Sequence, residues 1–168
     1  MTDFHGHLEV ARAFLEIDEK FESMESFEPR SAYDIQIQGI FVQYMVVFIT
    51  RTIEGSVKNI IHTKCNLLGK TESEIEEIEK NLKSFQNPSK EIINRYFKDI
   101  LGIELDGEDF DNDYFASLGQ IVNDRHKIAH SDHFLDTLQY LKSLDDVKKH
   151  YLNIKEFIAK LCEIISLC

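Results

Sequence analysis

Between positions 122 and 133 the chain reads Val-Asn-Asp-Arg-His-Lys-Ile-Ala-His-Ser-Asp-His. Arg125, His126, Lys127, His130 and His133 fall within nine positions, and three of the seven histidines are here. Imidazoles exchange protons near neutral pH, because their unperturbed pKa is about 6.5. A guanidinium stays charged and presents a planar fork of donors that matches phosphate oxygens. Together these types suit proton transfer at an anionic, phosphate-like group. The spacing also admits metal binding: His126 and His130 are i,i+4, and His133 lies three further on. The helical zinc-protease pattern, however, needs Glu after its first His, where Lys127 stands, and an ammonium beside the ligands repels a dication. A third reading is structural. The negative end of a helix dipole accepts cations, so the segment can simply close a helix, with Arg125 paired to Asp124 or a neighbouring carboxylate. A triad of Ser131, His130 and Asp132 is disfavoured, since side chains adjacent in sequence rarely meet in that geometry.

The elements that must position these groups are helices. Apolar residues recur at helical spacing almost throughout, and no segment alternates with period two. A first helix is expected over residues 4–26, with Phe4, Leu8, Ala11, Phe14/Leu15, Phe21 and Met24 tracking the spacing. A very long second helix covers residues 34–68, and Gly69 supplies its stop. Thr71 and Glu74 form a capping-box signature for a third helix to about residue 85. Pro88-Ser89 opens a fourth, which runs to Leu101 and is closed by Gly102. Residues 104–113 hold six acids and no base, and read as an exposed loop. Asn112 or Asp113 can cap a fifth helix over residues 114–129. Residues 131–141 read as irregular or a short helical turn. Ser143, followed by Asp145 and Asp146, caps a last helix to about residue 166. The expected architecture is all-α, an antiparallel helical bundle formed by a single domain over residues 1–168.

Composition agrees with this. The chain has 168 residues, 43% hydrophobic and 29% charged, with two prolines and seven glycines, which excludes disordered, collagen-like and disulfide-scaffold classes. Its formal net charge of −11 repels nucleic acid at long range, so any such binding needs a local basic patch. Residues 51–70 carry Arg51, Lys58, Lys64 and Lys70 against Glu54 alone. Arg51, Lys58 and His62 fall near one helix face, either a solvated side of a core helix or an anion-facing stripe. The most apolar stretch, residues 39–49, is too short by itself to span a bilayer and reads as a core helix buried on most sides. Cys65, Cys162 and Cys168 form no C-x-x-C pair and read as reduced thiols. The opening Met-Thr-Asp-Phe-His-Gly-His lacks the basic and apolar regions of a signal peptide. A cytoplasmic protein, without membrane partner, is expected.

The run Asn-Asp-Arg-His-x-Ile-Ala-His, Arg125 to His130 with four residues between, resembles the signature of the HEPN superfamily, helical domains of many ribonucleases. It closes the penultimate long helix and precedes a final amphipathic one. The small Ala129 before the histidine, and Glu54 inside the long earlier helix, are similar to that family too. Two positions depart from it. Many relatives have Gly after the motif histidine, where Ser131 stands. Those paired with a nucleotidyltransferase antitoxin carry Tyr two positions beyond the histidine, where Asp132 stands, so the resemblance does not extend to tyrosine modification by such a partner.

The resemblance implies an endoribonuclease that needs no metal or cofactor, acting as a toxin or anti-phage defence effector. Ribose supplies its own nucleophile, the 2′-hydroxyl, so positioned acids, bases and cations suffice. His130 is then expected to act as general base or acid, Arg125 to bind the scissile phosphate, and His126 to orient or share the proton work. Lys127, Arg51 and Lys58 would hold flanking phosphates, with Glu54 in support. Arg125 and His130 are five residues, about 500° or 140° modulo a turn, apart on an ideal helix. Either the helix ends before His130, or two chains combine their residues. HEPN enzymes do the latter, so the resemblance implies a homodimer, alongside an antitoxin or defence partner. A catalytically inactive module that binds RNA, a nucleotide or a protein is the alternative within the family, and a His-rich metal-binding protein the alternative outside it.

Overall fold

The computed structural model describes residues 2–105, 110–130 and 143–167, and every regular element among them is a helix. Six helices follow in order: α1 (Leu8–Glu25), α2 (Ala32–Leu67), α3 (Glu72–Leu82), α4 (Lys90–Leu101), α5 (Asn112–Ala129) and α6 (Leu144–Leu167). The expected all-helical bundle with one long second helix is the fold observed.

Most boundaries follow from caps written locally in the sequence. Thr71 and Glu74 form the reciprocal capping box at α3. The Ser89 hydroxyl accepts from the Ile92 N–H at α4, and Gly102 ends that helix at φ +70°, a left-handed conformation that favours glycine. Ser143 accepts from Asp146 N–H, while the Asp146 carboxylate accepts from Ser143 N–H, so α6 opens on a similar reciprocal pair. Several ends differ from expectation: α1 begins at Leu8 rather than residue 4, and α2 at Ala32 rather than residue 34. The side chain that caps α5 is Asp111, accepting from Asp113 N–H at 2.9 Å, rather than Asn112 or Asp113. α3 stops at Leu82, not residue 85, because the Ser84 hydroxyl takes the Asn81 carbonyl and Phe85 N–H turns to Leu82. The expected irregular region at residues 131–141 lies outside the described residues.

Each of the other five helices packs on α2, and α5 also packs on α6 and α4. The buried face of α2 carries Val42, Met45, Val46, Ile49, Ile53, Val57, Ile60 and Ile61. This is also the one helix among the described residues that is long and apolar enough to cross a membrane, and those apolar side chains form the bundle's core. Residues 39–49 are buried on most sides, as expected, and only two of them are exposed. Ile40 and Tyr44 are roughly half exposed (47% and 46%). On α1 the buried stripe is Val10, Phe14, Ile17 and Phe21, so Leu8 and Leu15 face solvent. The two stripes are both helical in period; the partner helix selects one.

A polar contact ties α1 to α6. The buried Tyr151 hydroxyl is shared between Asp18 Oδ1 at 2.6 Å and the Phe14 carbonyl at 3.0 Å, while Lys155 pairs with Asp18 Oδ2 at 2.6 Å. Burial, then the Asp18 contact, push the phenol upward, so it stays protonated. Tyr151→Phe leaves two acceptors short of a donor. It should lower stability by about 1–3 kcal/mol in urea denaturation while leaving the helical circular dichroism unchanged.

Candidate functional site

The Arg-x4-His segment lies at the C-terminal end of α5. Regular helix ends at Ala129, and His130 takes φ −115° and ψ 13°, with its N–H still donating to the His126 carbonyl at 3.1 Å. The departure from helix does not swing the ring away. The His126 and His130 rings lie 4.4 Å apart between centroids, tilted by 49°, and both are exposed. Their i,i+4 relation places two imidazoles side by side at the surface.

The neighbouring charges divide between two faces. Asp124, only 5% exposed, accepts from Gln120 Nε2 at 2.8 Å and lies 3.9 Å from the Lys127 ammonium. Arg125 is half-buried and faces elsewhere: its Nη1 donates to the side-chain oxygen of Asn87. Among the described residues Arg125 forms no ion pair, so the expected alternative of pairing with Asp124 does not hold. Arg125 and His130 therefore take different partners within one chain.

Asn87 ends the connection between α3 and α4. Its φ of +53° is in the left-handed region, which asparagine tolerates better than most non-glycine residues. Its carbonyl accepts from Ser89 N–H at 2.8 Å, one step before that serine caps α4. Its own N–H donates to Glu54 Oε1 at 3.1 Å. Glu54 on α2, Asn87 in a loop and Arg125 on α5 thus form one hydrogen-bonded chain. Glu54 and Arg125 are legible in the sequence; Asn87 is not. Asn-Pro-Ser announces a turn and a cap, but nothing local joins it to residues 33 and 38 positions away.

The three cations expected to hold flanking phosphates are not equivalent. Lys58, one turn beyond Glu54, reaches to 6.0 Å from the centroid of Phe85, two residues before Asn87. It lines a concavity with His62, Glu79 and Leu82. Lys127 is exposed on α5 beside Asp124. Arg51 is exposed on the α1 side of α2, in a concavity with Glu9, Phe48 and Asn59. His62 lies on the α3 side, its Nε2 3.5 Å from Glu79. Arg51, Lys58 and His62 do not share one surface: they border two different concavities of the bundle.

Among the described residues no group of three or more His, Cys, Asp or Glu is placed to hold a metal ion. His133, the third member of the zinc-ligand spacing, lies outside them, as do Ser131 and Asp132. Cys65 and Cys162 are free thiols in the core. Burial pushes both upward, Cys162 to about 12, so each stays protonated and unreactive at neutral pH.

An all-helical bundle whose penultimate helix closes on Arg-x4-His, with an acid of the long second helix linked to that arginine, defines a HEPN-type domain. The family model described as RiboL-PSP-HEPN matches residues 12–167, and the chain belongs to that family. At that level it is a module of the HEPN nuclease and RNA-binding type. No curated protein and no solved structure gives a significant match.

The thiol geometry has a direct check. Iodoacetamide applied to the native protein should leave Cys65 and Cys162 unmodified, whereas both react after denaturation; peptide mass spectrometry reads the difference.

Proposed function

We propose that this protein is a metal-independent endoribonuclease of the HEPN type. The observation that carries the reading is the state of Arg125: its guanidinium is held by a neutral amide oxygen, with no ion pair among the described residues, on the same helix end as two adjacent imidazoles. HEPN domains are often ribonucleases, which supports it at the level of family.

In this reading an imidazole of the His126/His130 pair takes the proton of a ribose 2′-hydroxyl. The freed oxygen attacks the adjacent phosphorus, and the bond to the departing 5′-oxygen breaks. That oxygen leaves with a proton from a second imidazole, and the product ends in a 2′,3′-cyclic phosphate. Arg125 bears the charge that grows on the non-bridging oxygens. Lys58 and Lys127 hold flanking phosphates near this centre, and Arg51 holds a more distant one. Glu54 supports the cluster through Asn87.

Within one chain Arg125 and His130 face different partners, which favours a site completed by a second copy. A homodimer has a surface to use. Tyr33, Ile37, Ile40 and Tyr44 fall within about 60° of one another on α2 by helical geometry, and all four are exposed. On a chain of net charge −11, an uncharged stripe is where two copies can meet without repulsion. The same division of Arg125 and His130 also favours a second reading if the chain acts alone: a HEPN-like module that binds RNA, a nucleotide or a protein without cutting. Reduced core thiols and an RNA substrate suit the cytoplasm. A ribonuclease there needs restraint in the cell that makes it, which fits a toxin or defence effector held by a partner protein.

Purified protein should cleave RNA in the presence of EDTA and leave 2′,3′-cyclic phosphate ends. Arg125→Ala and His130→Ala should each abolish cleavage with unchanged circular dichroism. Full activity of either variant rejects the assignment, and RNA binding without cleavage by the unaltered protein selects the second reading. Ile40→Glu should shift the protein from dimer to monomer by light scattering and reduce cleavage at least tenfold at low protein concentration. A dimer that survives this change moves the interface elsewhere.

A further inference from the structure

Asn87 stands between two residues of the proposed site, yet touches them with different groups. Its backbone N–H goes to the Glu54 carboxylate, and its side-chain oxygen accepts from Arg125. A carboxylate in its place would orient an arginine equally well but would cancel much of its charge, and a phosphate would then compete with a permanent local anion. An amide oxygen accepts the same N–H bond and leaves the positive charge available. The acid of the cluster is kept one residue away: Glu54 binds the loop's backbone, and among the described residues forms no ion pair.

The backbone adds a second argument. Asn87 is exposed and holds φ +53°, and its carbonyl is already used by the turn into α4. The turn alone is satisfied by glycine, the residue most at ease with positive φ. What glycine lacks is the acceptor for Arg125.

We infer that Asn87 is a positioning residue for Arg125, whose neutral side chain aims the guanidinium at the scissile phosphate without neutralising it, while Glu54 fixes Asn87 through its N–H. The inference rests on the nuclease reading for its catalytic meaning, but the positioning itself is a property of the folded protein. Loss of the acceptor frees the guanidinium to rotate, and a displacement of about 1 Å in such a group can cost on the order of 100-fold in rate.

Two substitutions separate aim from charge. Asn87→Gly keeps the turn and removes the acceptor. Asn87→Asp keeps an acceptor and the tolerance for positive φ, and adds a charge. With a short RNA under single-turnover conditions, Asn87→Gly should lower the maximal rate by about 10–100-fold with the half-saturating concentration within about twofold of the original. Asn87→Asp should instead raise the half-saturating concentration at least tenfold and flatten its salt dependence, since one phosphate-facing cation is lost. Nitrogen-15 spectra of the arginine side chains give a readout independent of cleavage: the Arg125 Nη signals should broaden or shift in Asn87→Gly, with the remaining arginines unchanged. An Asn87→Gly protein that cuts at the original rate with unaltered Arg125 signals overturns the inference, as does an Asn87→Asp protein kinetically identical to Asn87→Gly. If the unaltered protein cuts no RNA, the nuclease reading fails by itself, and the spectra still decide whether Asn87 holds Arg125.

Discussion

Burial of one face of α2 governs the rest of this molecule. Seven of its side chains, Met45, Val46, Ile49, Ile53, Val57, Ile60 and Ile61, have no exposed surface. Each contributes about 1.5–3 kcal/mol relative to remaining in water. That free energy sets the rotation of a 36-residue helix on which all the other described helices pack. The register then leaves no choice for the polar residues between. Glu54 follows Ile53 and Lys58 follows Val57, so when those aliphatic side chains enter the core, both polar groups are left at its rim beside the loop before α4. The site's acid and one of its cations are thus held by hydrophobic packing rather than by each other.

The remaining parts of the site arrive by local devices that act on the same loop. A capping box starts α3, early release of the helix at Leu82 leaves Phe85 to bury itself, and the turn at Asn87 feeds the Ser89 cap of α4. Phe85 anchors the loop from below, and its ring is the one Lys58 leans over. α5 then passes close enough for Arg125 to reach Asn87. The result in a strongly acidic protein is a small region where, among the described residues, few carboxylates are accessible, because Asp124 is buried beside Gln120 and close to the exposed Lys127 while Glu54 is engaged by a backbone amide.

Membership of the HEPN class gives these contacts their chemical sense, and the two-sided arrangement at the end of α5 gives the class its economy. One helix end presents paired imidazoles outward and a tethered guanidinium sideways. In the proposed dimer, two such ends brought together by symmetry would hold all the groups that phosphodiester transfer requires, without any chain having to bend its own helix far enough to do so. The exposed uncharged stripe on the first half of α2 is consistent with the same economy, since a helix that extends past its own core has apolar surface left over.

Much of this was legible in the amino-acid order. Helix number and type, the Thr71, Ser89 and Ser143 caps, the Gly69 and Gly102 stops, and the adjacency of His126 and His130 all depend on residues within about four positions of one another, and such interactions are written contiguously. Tertiary structure decided what depends on which surfaces meet. It chose Val10 and Ile17 over Leu8 and Leu15 for the core, because two stripes of helical period were available and only the neighbour distinguishes them. It separated Arg51 from Lys58 by packing different helices against the two sides of α2. It also joined Asn87 to Arg125, a pairing between residues 38 positions apart that exists only because α2 brings the α3–α4 loop and α5 to the same edge of one core.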